Sequence, residues 1–245
     1  AALDRLPPKM DTRLRGGFVR RCHGDLHLRN VCLVDGEPTI FDALEFNESL
    51  AITDTQYDLA YVLMDLLHRD RRAQACLLLN RYLERRPDHD GLSLLPFFVS
   101  VRAAVRAKVS LSMAAVQHDE SDAQVLRSEA RDYLDRAIQS LSPARPTIVA
   151  VGGFSGSGKS TVARALAPML DPAPGAVALR SDVIRKEIMG VGDRVRLGSD
   201  GYTPHVSARV YATLADRAKV VVRSGFSAIG DATFTMAEGR TALAR

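Results

Sequence analysis

The sequence contains no tryptophan, and aromatic residues make up only 6% of it. Proteins that bind single-stranded nucleic acid without sequence preference stack bases on aromatic side chains, so this composition gives no sign of such a platform. The three cysteines, Cys22, Cys32 and Cys76, lack C-x-x-C spacing, which predicts neither a disulfide framework nor a zinc site. Apolar runs long enough to cross a bilayer and a signal-peptide pattern are also missing, so we expect a cytoplasmic protein without a membrane partner.

Lysine is scarce as well, with only five among the 33 basic residues of a chain whose net charge is +4. The arginines are spread through helical stretches beside many alanines and are not gathered in one patch. That pattern is more typical of a coding bias than of a nucleic-acid surface. We therefore do not expect nucleic acid as a partner, although net charge alone does not exclude it. The length of 245 residues leaves room for two globular domains.

Residues 153–160 fit the phosphate-binding pattern G-x-x-x-x-G-K-[ST]. A β-branched apolar run over 147–151 precedes the pattern and helically spaced apolar residues follow it, which predicts a loop between a strand and a helix. Backbone N–H groups of such a loop point at phosphate oxygens. We predict ATP on this loop, with Lys159 on the β- and γ-phosphates and Ser160 on Mg²⁺. The predicted nucleotide-binding residues are Gly153, Ser155, Gly156, Ser157, Gly158, Lys159, Ser160 and Thr161.

A second group of polar residues lies around an expected hairpin. Asp25 and Asn30 precede two short apolar runs that flank an Asp-Gly turn, and Asp42 closes the second run. Folding the hairpin brings the three together. Phosphoryl transfer to a hydroxyl uses this spacing, with one carboxylate accepting the hydroxyl proton while an amide and a second carboxylate hold Mg²⁺. The alternative is that all three are turn and strand-end residues.

The segments His23-Gly24-Asp25 with Asn30, and Ile40-Phe41-Asp42, resemble the catalytic core of the aminoglycoside phosphotransferase and choline kinase group. The resemblance implies that Asp25 is the catalytic base and that Asn30 and Asp42 are Mg²⁺ ligands. It also implies that an Asp at the head of the following helix, here Asp58, braces the catalytic loop. A plain carboxylate at a helix N-terminus is the alternative for Asp58. The residues after Asp42 depart from the usual continuation of the family.

Such a fold also needs an N-terminal lobe over the nucleotide, and too few residues precede His23 to form one. We therefore expect residues 1–142 alone not to bind ATP tightly. Arg102, Arg106 and Lys108 lie on a helix predicted over 92–117. They form either a solvated stripe, which we favour, or a surface that faces an acidic substrate.

Beyond the phosphate-binding loop, Asp182 and Arg185 follow a strand predicted over 176–180. The carboxyl ends of parallel strands open onto the crevice where ligands of doubly wound sheets bind. There Asp182 would act as a general base toward an acceptor hydroxyl and Arg185 would clamp an anionic group. An N-cap followed by a solvated arginine is the alternative.

The loop at 153–161, the segment at 180–186 and the segment at 229–234 together resemble small P-loop kinases of the gluconate kinase, zeta-toxin and polynucleotide kinase type. The resemblance implies that the D-x-x-R pair, Asp182 and Arg185, binds and activates the phosphate acceptor. It implies also that Asp231, at the end of a third strand, orients Mg²⁺. The order of the two halves resembles a bacterial fused aminoglycoside-phosphotransferase-like and ATP-binding protein, and we expect a fragment truncated at both ends.

The predicted fold is therefore a two-domain α/β and α+β arrangement. A helical kinase-like C-lobe with a β-hairpin occupies residues 1–142, a linker residues 143–146, and an incomplete parallel-sheet P-loop domain residues 147–245. The predicted activity is ATP- and Mg²⁺-dependent transfer of the γ-phosphate to a small-molecule hydroxyl, with Asp25, Asp182 and Lys159 catalytic. Two alternatives stay open: a nucleotide-dependent switch or ATPase with a binding scaffold, and a polynucleotide end kinase, whose binding would weaken steeply with salt.

Overall fold

The computed structural model describes residues 6–45, 47–143, 145–192 and 194–234. The chain divides into two compact units. The first comprises residues 1–71 and 93–142, and the second comprises residues 72–92 and 143–245. After Ser142, where the sequence predicts the linker, all following residues belong to the second unit. Residues 72–92, which the sequence pattern assigns to the first domain, are instead part of the second unit.

The helices expected over 71–86, 92–117 and 121–140 are present, with ends shifted by at most three residues. No helix in the described ranges is long and apolar enough to cross a membrane. Before the linker the elements are α1 (Leu6–Arg15), β1 (Val19–Arg21), β2 (Val31–Val34), β3 (Glu37–Ile40), α2 (Glu48–Ala51), β4 (Ile52–Asp54), α3 (Thr55–His68), α4 (Arg72–Arg85), α5 (Leu95–Val116) and α6 (Glu120–Ser140). After it they are β5 (Ile148–Gly152), α7 (Lys159–Leu166), β6 (Val177–Arg180), α8 (Ser181–Ile188), α9 (Pro204–Arg223) and β7 (Ala228–Ala232).

Helices α3, α5 and α6 form the core of the first unit. Leu63 and Met64 of α3 are fully buried, as is Tyr133 of α6 within 2%. Helix α6 also buries alanines at positions 123, 130 and 137. This seven-residue spacing of small side chains lets α6 approach α5 closely along its length.

Two small antiparallel strand pairs complete the first unit. Strands β2 and β3 form the expected hairpin, whose turn residues Asp35 and Gly36 have φ of 52° and 81°. Left-handed conformation at both central residues is typical of a type I′ turn. The second pair, β1 with β4, was not predicted from the sequence, because each strand has only three residues and its partner is distant in the chain.

The second unit is built on a parallel sheet with the strand order β5-β7-β6. The central strand β7 is buried at all five positions. Val151 of β5 and Arg180 of β6 both pair in register with Asp231 of β7. The carboxyl ends of all three strands therefore meet at one edge of the sheet, as the sequence predicted for a P-loop domain.

Helix α4 packs into this second unit through its buried cysteine. Cys76 shares an apolar cluster with Ala163 of α7, Ala176 and Ile229. Burial raises the pKa of the Cys76 thiol to about 11, so the side chain stays protonated and acts as a small apolar residue.

The edge of the sheet at β6 is covered by the side-chain amide of Asn80 on α4. The Asn80 Nδ2 donates to Ala176 O at 3.0 Å, and its Oδ1 accepts from Ala178 N at 2.7 Å. One amide thus pairs with both the acceptor and the donor that a further strand would bind. Since an unpaired strand edge promotes association with other chains, Asn80 protects this edge as well as anchoring α4.

We expect Asn80→Ala to lower the free energy of unfolding by about 1 to 3 kcal/mol, because it leaves Ala178 N without this acceptor and Ala176 O with only the weak thiol donor of Cys76. Urea denaturation followed by circular dichroism measures the change. Gln74→Ala is the matched control, since it removes an amide from an exposed position of the same helix. Equal stability of the two variants would show that the edge contact contributes nothing.

Candidate functional site

The loop between β5 and α7 turns at glycines whose conformations other residues would not tolerate. Gly153 has φ of 155°, and a Cβ there would lie 2.7 Å from Ser157 Oγ. Gly158 has φ of 85° and is the N-cap of α7. Its carbonyl accepts hydrogen bonds from the N–H groups of Thr161 and Val162. The residues between these glycines are exposed. The loop therefore presents backbone N–H groups to a ligand directly at a helix N-terminus.

Lys159, the first residue of α7, folds back over this loop. Its Nζ donates to Phe154 O at 3.1 Å. The ammonium is thereby held at the mouth of the loop by a neutral carbonyl. A phosphate oxygen would give it a charged acceptor, and charge-assisted hydrogen bonds are about twice as strong as neutral ones.

The hydroxyl of Ser160 contacts the carboxylate at the end of the central strand. Ser160 Oγ donates to Asp231 Oδ2 at 2.5 Å, and Asp231 is only 3% exposed. The parallel pairing of β5 with β7 produces this contact, because it places Asp231 beside the strand that leads into the loop. Two residues that are 71 positions apart in the chain therefore form one site.

Both groups fit a magnesium ion that also binds phosphate. Within the described ranges, Asp231 Oδ1 is buried and has no hydrogen-bond partner, so a free carboxylate oxygen faces the site. Mg²⁺ takes hard oxygen ligands, with one or two from the protein and the others from water and phosphate. No group of three or more His, Cys, Asp or Glu side chains in those ranges is arranged to hold a metal by itself. Ser160 and Asp231 would thus hold the ion only together with a nucleotide.

In the first unit the hairpin brings the second predicted group of residues into one region. Asn30 Nδ2 lies 3.0 Å from Asp25 O and 3.3 Å from Asp25 Oδ2. His27 Nε2 lies 3.4 Å from the same carboxylate oxygen. The amide and the imidazole therefore fix the orientation of the Asp25 carboxylate.

Asp42 follows the hairpin in a left-handed backbone conformation, with φ of 58°. The residue before it, Phe41, donates its N–H to Asn30 O and accepts a contact from His23 Nε2 at 2.8 Å. These bonds fasten the Asp42 segment beside Asn30. A left-handed non-glycine residue is uncommon and is held only where its surroundings impose it.

Asp58 at the start of α3 binds the backbone of the segment that carries Asp25. Its Oδ2 accepts from His23 N at 3.1 Å and its Oδ1 from Gly24 N at 2.9 Å. Arg102 of α5 donates to Gly24 O at 3.1 Å and lies 3.9 Å from Asp58 Oδ1. Gly24 itself has φ of 84°, and a Cβ there would lie 2.6 Å from Leu44. The loop is thus fixed from two helices.

Burial keeps two titratable neighbours of this loop, Tyr61 and Cys22, neutral at neutral pH. Burial, followed by the nearby Asp25 carboxylate, raises the pKa of Tyr61, so its phenol remains a hydrogen-bond donor. Burial, followed by Asp58 and Asp54, raises the pKa of Cys22 to about 11. Cys22 is therefore a protonated thiol and no nucleophile at neutral pH.

Comparison with protein families supports the geometry of the second unit. Residues 148–245 match the model of a family described as an AAA domain. This part of the chain is therefore similar to a P-loop NTPase domain. The match covers the strand β5, the loop, Ser160 and Asp231.

Three curated relatives come from mycobacteria, one from Mycobacterium bovis and two from strains of Mycobacterium tuberculosis, and all three are described as uncharacterized proteins. Each is 33% identical over 226 residues, which cover 91% of this chain and 44% of the relative. The chain thus spans less than half the length of the curated relatives it matches. No solved structure is significantly similar to it.

In the P-loop NTPase domain, Asp182 and Arg185 lie on α8 as expected, but in different surroundings. Asp182 is exposed, and Lys186 Nζ lies 3.4 Å from its Oδ2. Arg185 is buried, and its Nη1 donates to Gly201 O at 2.7 Å while its guanidinium lies over the Tyr202 ring. Asp182 is therefore open to a substrate, whereas Arg185 is held by the protein.

Sequence reasoning did not identify the supporting roles of Arg102 and Asp65 in the first unit, or that of Glu84, which binds Arg180 at the end of β6. Arg102 was expected on a solvated stripe, but it is 7% exposed and donates to Gly24 O in the loop that carries Asp25. The Asp65 carboxylate accepts a hydrogen bond from Leu28 N at 2.9 Å and so supports the segment between Asp25 and Asn30. A charged residue among the apolar positions of α3 and α5 was the only available signal for the first two.

We expect Asp58→Asn to lower the free energy of unfolding by about 3 kcal/mol, because it leaves the buried Arg102 without its compensating charge and loses one of two backbone acceptors. Chemical denaturation measures the effect. Asp25→Asn is the control, since Asp25 is half-exposed, and its cost should stay below about 1 kcal/mol. A small effect of Asp58→Asn would mean that the loop does not depend on this carboxylate.

Proposed function

We propose that the P-loop NTPase domain is an ATP-dependent kinase that transfers the γ-phosphate to a hydroxyl of a small-molecule acceptor. The observation that carries the proposal is the contact between Ser160 and the buried Asp231 at the mouth of a loop that also holds Lys159. A phosphate-binding loop, a cation and a magnesium-type oxygen pair thus lie within one site. The family match supports nucleotide binding, and the acceptor is part of the proposal.

The chain's own residues would hold the triphosphate in stages. Backbone N–H groups between Gly153 and Gly158 surround the β-phosphate, assisted by the dipole of α7. Lys159 leaves Phe154 O and binds oxygens of the β- and γ-phosphates. The Ser160 hydroxyl and the Asp231 carboxylate, which contact each other, would hold the magnesium ion that accompanies the triphosphate. Magnesium bound there would offset the negative charge of the phosphates during transfer.

Asp182 is the proposed base for the acceptor. It follows β6 at the same sheet edge as the loop, and its carboxylate is exposed. In the step, the acceptor oxygen forms a bond to the γ-phosphorus and the bond from that phosphorus to the bridging oxygen breaks. The hydroxyl proton goes to Asp182, and ADP leaves.

One observation favours the alternative of an ATPase or nucleotide-dependent switch. Arg185, which the resemblance makes an acceptor ligand, donates to Gly201 O and to Ser207 Oγ. To contact an acceptor, its guanidinium would have to leave these bonds. If Arg185 stays there, the domain retains nucleotide binding but lacks part of its acceptor site.

For the first unit we propose a second phosphotransfer site in the longer protein. Asp25 would be its base, and Asn30 and Asp42 its magnesium ligands. The support is the fixed orientation of Asp25 by Asn30 and the attachment of the loop to Asp58. The unit as described carries no lobe over a nucleotide, so this proposal concerns the whole protein and not residues 1–142 alone.

The first experiment is calorimetric titration of the chain with Mg-ATP. We expect Lys159→Ala to weaken binding at least about tenfold, because it removes a charge-assisted bond worth about 1.5 kcal/mol or more. Asp25→Ala should bind like the parent. Lys219→Ala, which removes one positive charge from the side of α9, is the control for net charge.

Four outcomes of this titration are informative. Loss with Lys159→Ala alone supports the P-loop as the nucleotide site. Equal binding by Lys159→Ala and the parent would place the nucleotide elsewhere, and loss with Asp25→Ala would place it in the first unit. An absence of binding in the parent chain would contradict the proposal for this chain.

The role of Asp182 separates the kinase from the switch. We expect Asp182→Ala to leave Mg-ATP affinity within about twofold and to lower transfer to a hydroxyl acceptor about 100-fold or more, because a general base contributes that much. Product formation is followed with radiolabelled ATP over a panel of small hydroxyl compounds. ATP turnover that needs no acceptor and is unchanged in Asp182→Ala would instead support the switch.

A further inference from the structure

Helix α4 carries a carboxylate to the edge of the sheet where the proposed magnesium site lies. Glu84, in the last turn of α4, accepts from Arg180 Nη1 at 3.2 Å. Its second oxygen accepts from Arg81 Nη1 at 2.7 Å. The Glu84 side chain is 17% exposed and the Arg180 side chain 23%. The Glu84–Arg180 pair is therefore largely removed from water, where ion pairs are screened less than at an open surface.

Arg180 lies between two carboxylates. It ends β6 and pairs in register with Asp231, and its Nε lies 3.8 Å from Asp231 Oδ2. That distance is an ion pair without a hydrogen bond, and Arg180 Nε has no hydrogen-bond partner within the described ranges. Glu84 thus holds the guanidinium by a hydrogen bond while Asp231 only attracts it.

This geometry matters because a guanidinium that is hydrogen-bonded to both oxygens of Asp231 would occupy the positions that a metal needs. Its Oδ2 already accepts from Ser160, and its Oδ1 is the buried oxygen without a partner. An arginine free to rotate would reach this carboxylate and form the bidentate pair that guanidinium and carboxylate groups favour. Such a pair would neutralise Asp231 and compete with magnesium for the same oxygens.

We propose that Glu84 is a positioning residue for the magnesium site: by holding Arg180, it keeps Asp231 available to the metal that accompanies ATP. The proposal rests on the proposed function of the P-loop NTPase domain. It adds to that site a residue from a helix that lies in the sequence between two elements of the other unit. Among the described residues, the Glu84 carboxylate is hydrogen-bonded to Arg180 and Arg81, and Arg180 is the one that lies next to Asp231, so the effect of Glu84 passes through Arg180.

The test measures nucleotide affinity twice for each variant, once with Mg²⁺ and once with EDTA, using a fluorescent ATP analogue. The dissociation constant in EDTA divided by the dissociation constant in Mg²⁺ reports how much the metal strengthens nucleotide binding. We expect Glu84→Gln to lower this ratio about fivefold or more, since the freed Arg180 can then donate hydrogen bonds to the Asp231 carboxylate, which it now only approaches to 3.8 Å. Affinity in EDTA should change by less than about twofold.

Two further variants identify the route. Arg180→Met alone should keep the ratio at or above that of the parent, because it removes the competing charge. The double variant Glu84→Gln with Arg180→Met should return to within about twofold of the parent. Arg81→Ala is the control, because it removes the other, more exposed partner of Glu84 and should leave the ratio unchanged. Thermal denaturation of every variant shows whether the fold is retained.

An unchanged ratio in folded Glu84→Gln overturns the inference while leaving the proposed function intact. A double variant that stays as low as Glu84→Gln also overturns it, because Glu84 would then act through its own charge. If Glu84→Gln does not fold, the ratio of Arg180→Met decides, and a fall in that ratio contradicts the inference. A parent chain that binds the analogue under neither condition removes the proposed function, and the inference falls with it.

Discussion

The parallel pairing of β5 with β7 is the constraint on which the nucleotide site depends. The loop and α7 follow β5 directly, so the position of β5 determines where Lys159 and Ser160 lie. Because Val151 pairs in register with Asp231, the end of β7 meets the start of α7, and the hydroxyl of Ser160 reaches the carboxylate. A shift of register by one residue would turn Asp231 to the other face of the sheet. The chemistry of the site therefore follows from backbone hydrogen bonds.

The same sheet requires a helix from an earlier part of the chain. Strand β6 stands at the edge, and the amide of Asn80 on α4 pairs with its backbone. Cys76, one turn before, fills the cluster under the β6 side of the sheet, and Glu84, one turn after, binds Arg180. These three residues recur every fourth position and so lie on one face of α4. That face makes α4 part of the second unit, although its sequence neighbours belong to the first unit.

Local patterns in the sequence were sufficient for the phosphate-binding loop and for the parallel sheet. In these places one short segment carries both the turn and the flanking periodicity, and the residues around Gly153 and Gly158 are contiguous. Residues whose roles depend on distant partners were not predictable in the same way. The solvated interpretation of Arg102 was wrong, because its partners, Gly24 O and Tyr57 O, come from two other segments. The apolar periodicity of α4 indicated a buried face but not the unit that covers it.

Each of the two units has an arginine beside a carboxylate of its candidate site, and the two arginines are held by different kinds of contact. Arg102 is 7% exposed, donates to two backbone carbonyls and lies over the rings of Tyr57 and Tyr61, so its charge is fixed. Arg102 therefore stabilises one conformation of the loop that carries Gly24 and Asp25, and it does so without a ligand.

Arg180 is held differently, because one carboxylate from α4 supplies its hydrogen bond and Asp231 lies at 3.8 Å. A metal that binds Asp231 adds positive charge next to this guanidinium and raises the value of the bond to Glu84. By the same reciprocity, a firmer bond between Glu84 and Arg180 favours the metal, since two equilibria that share a group must influence each other equally. On our proposal, the attachment of the last turn of α4 and the occupation of the magnesium site would therefore be linked within the second unit. The hydrogen bonds of Arg102 go instead to backbone carbonyls, and its ion pair is with Asp58, which is not a proposed metal ligand.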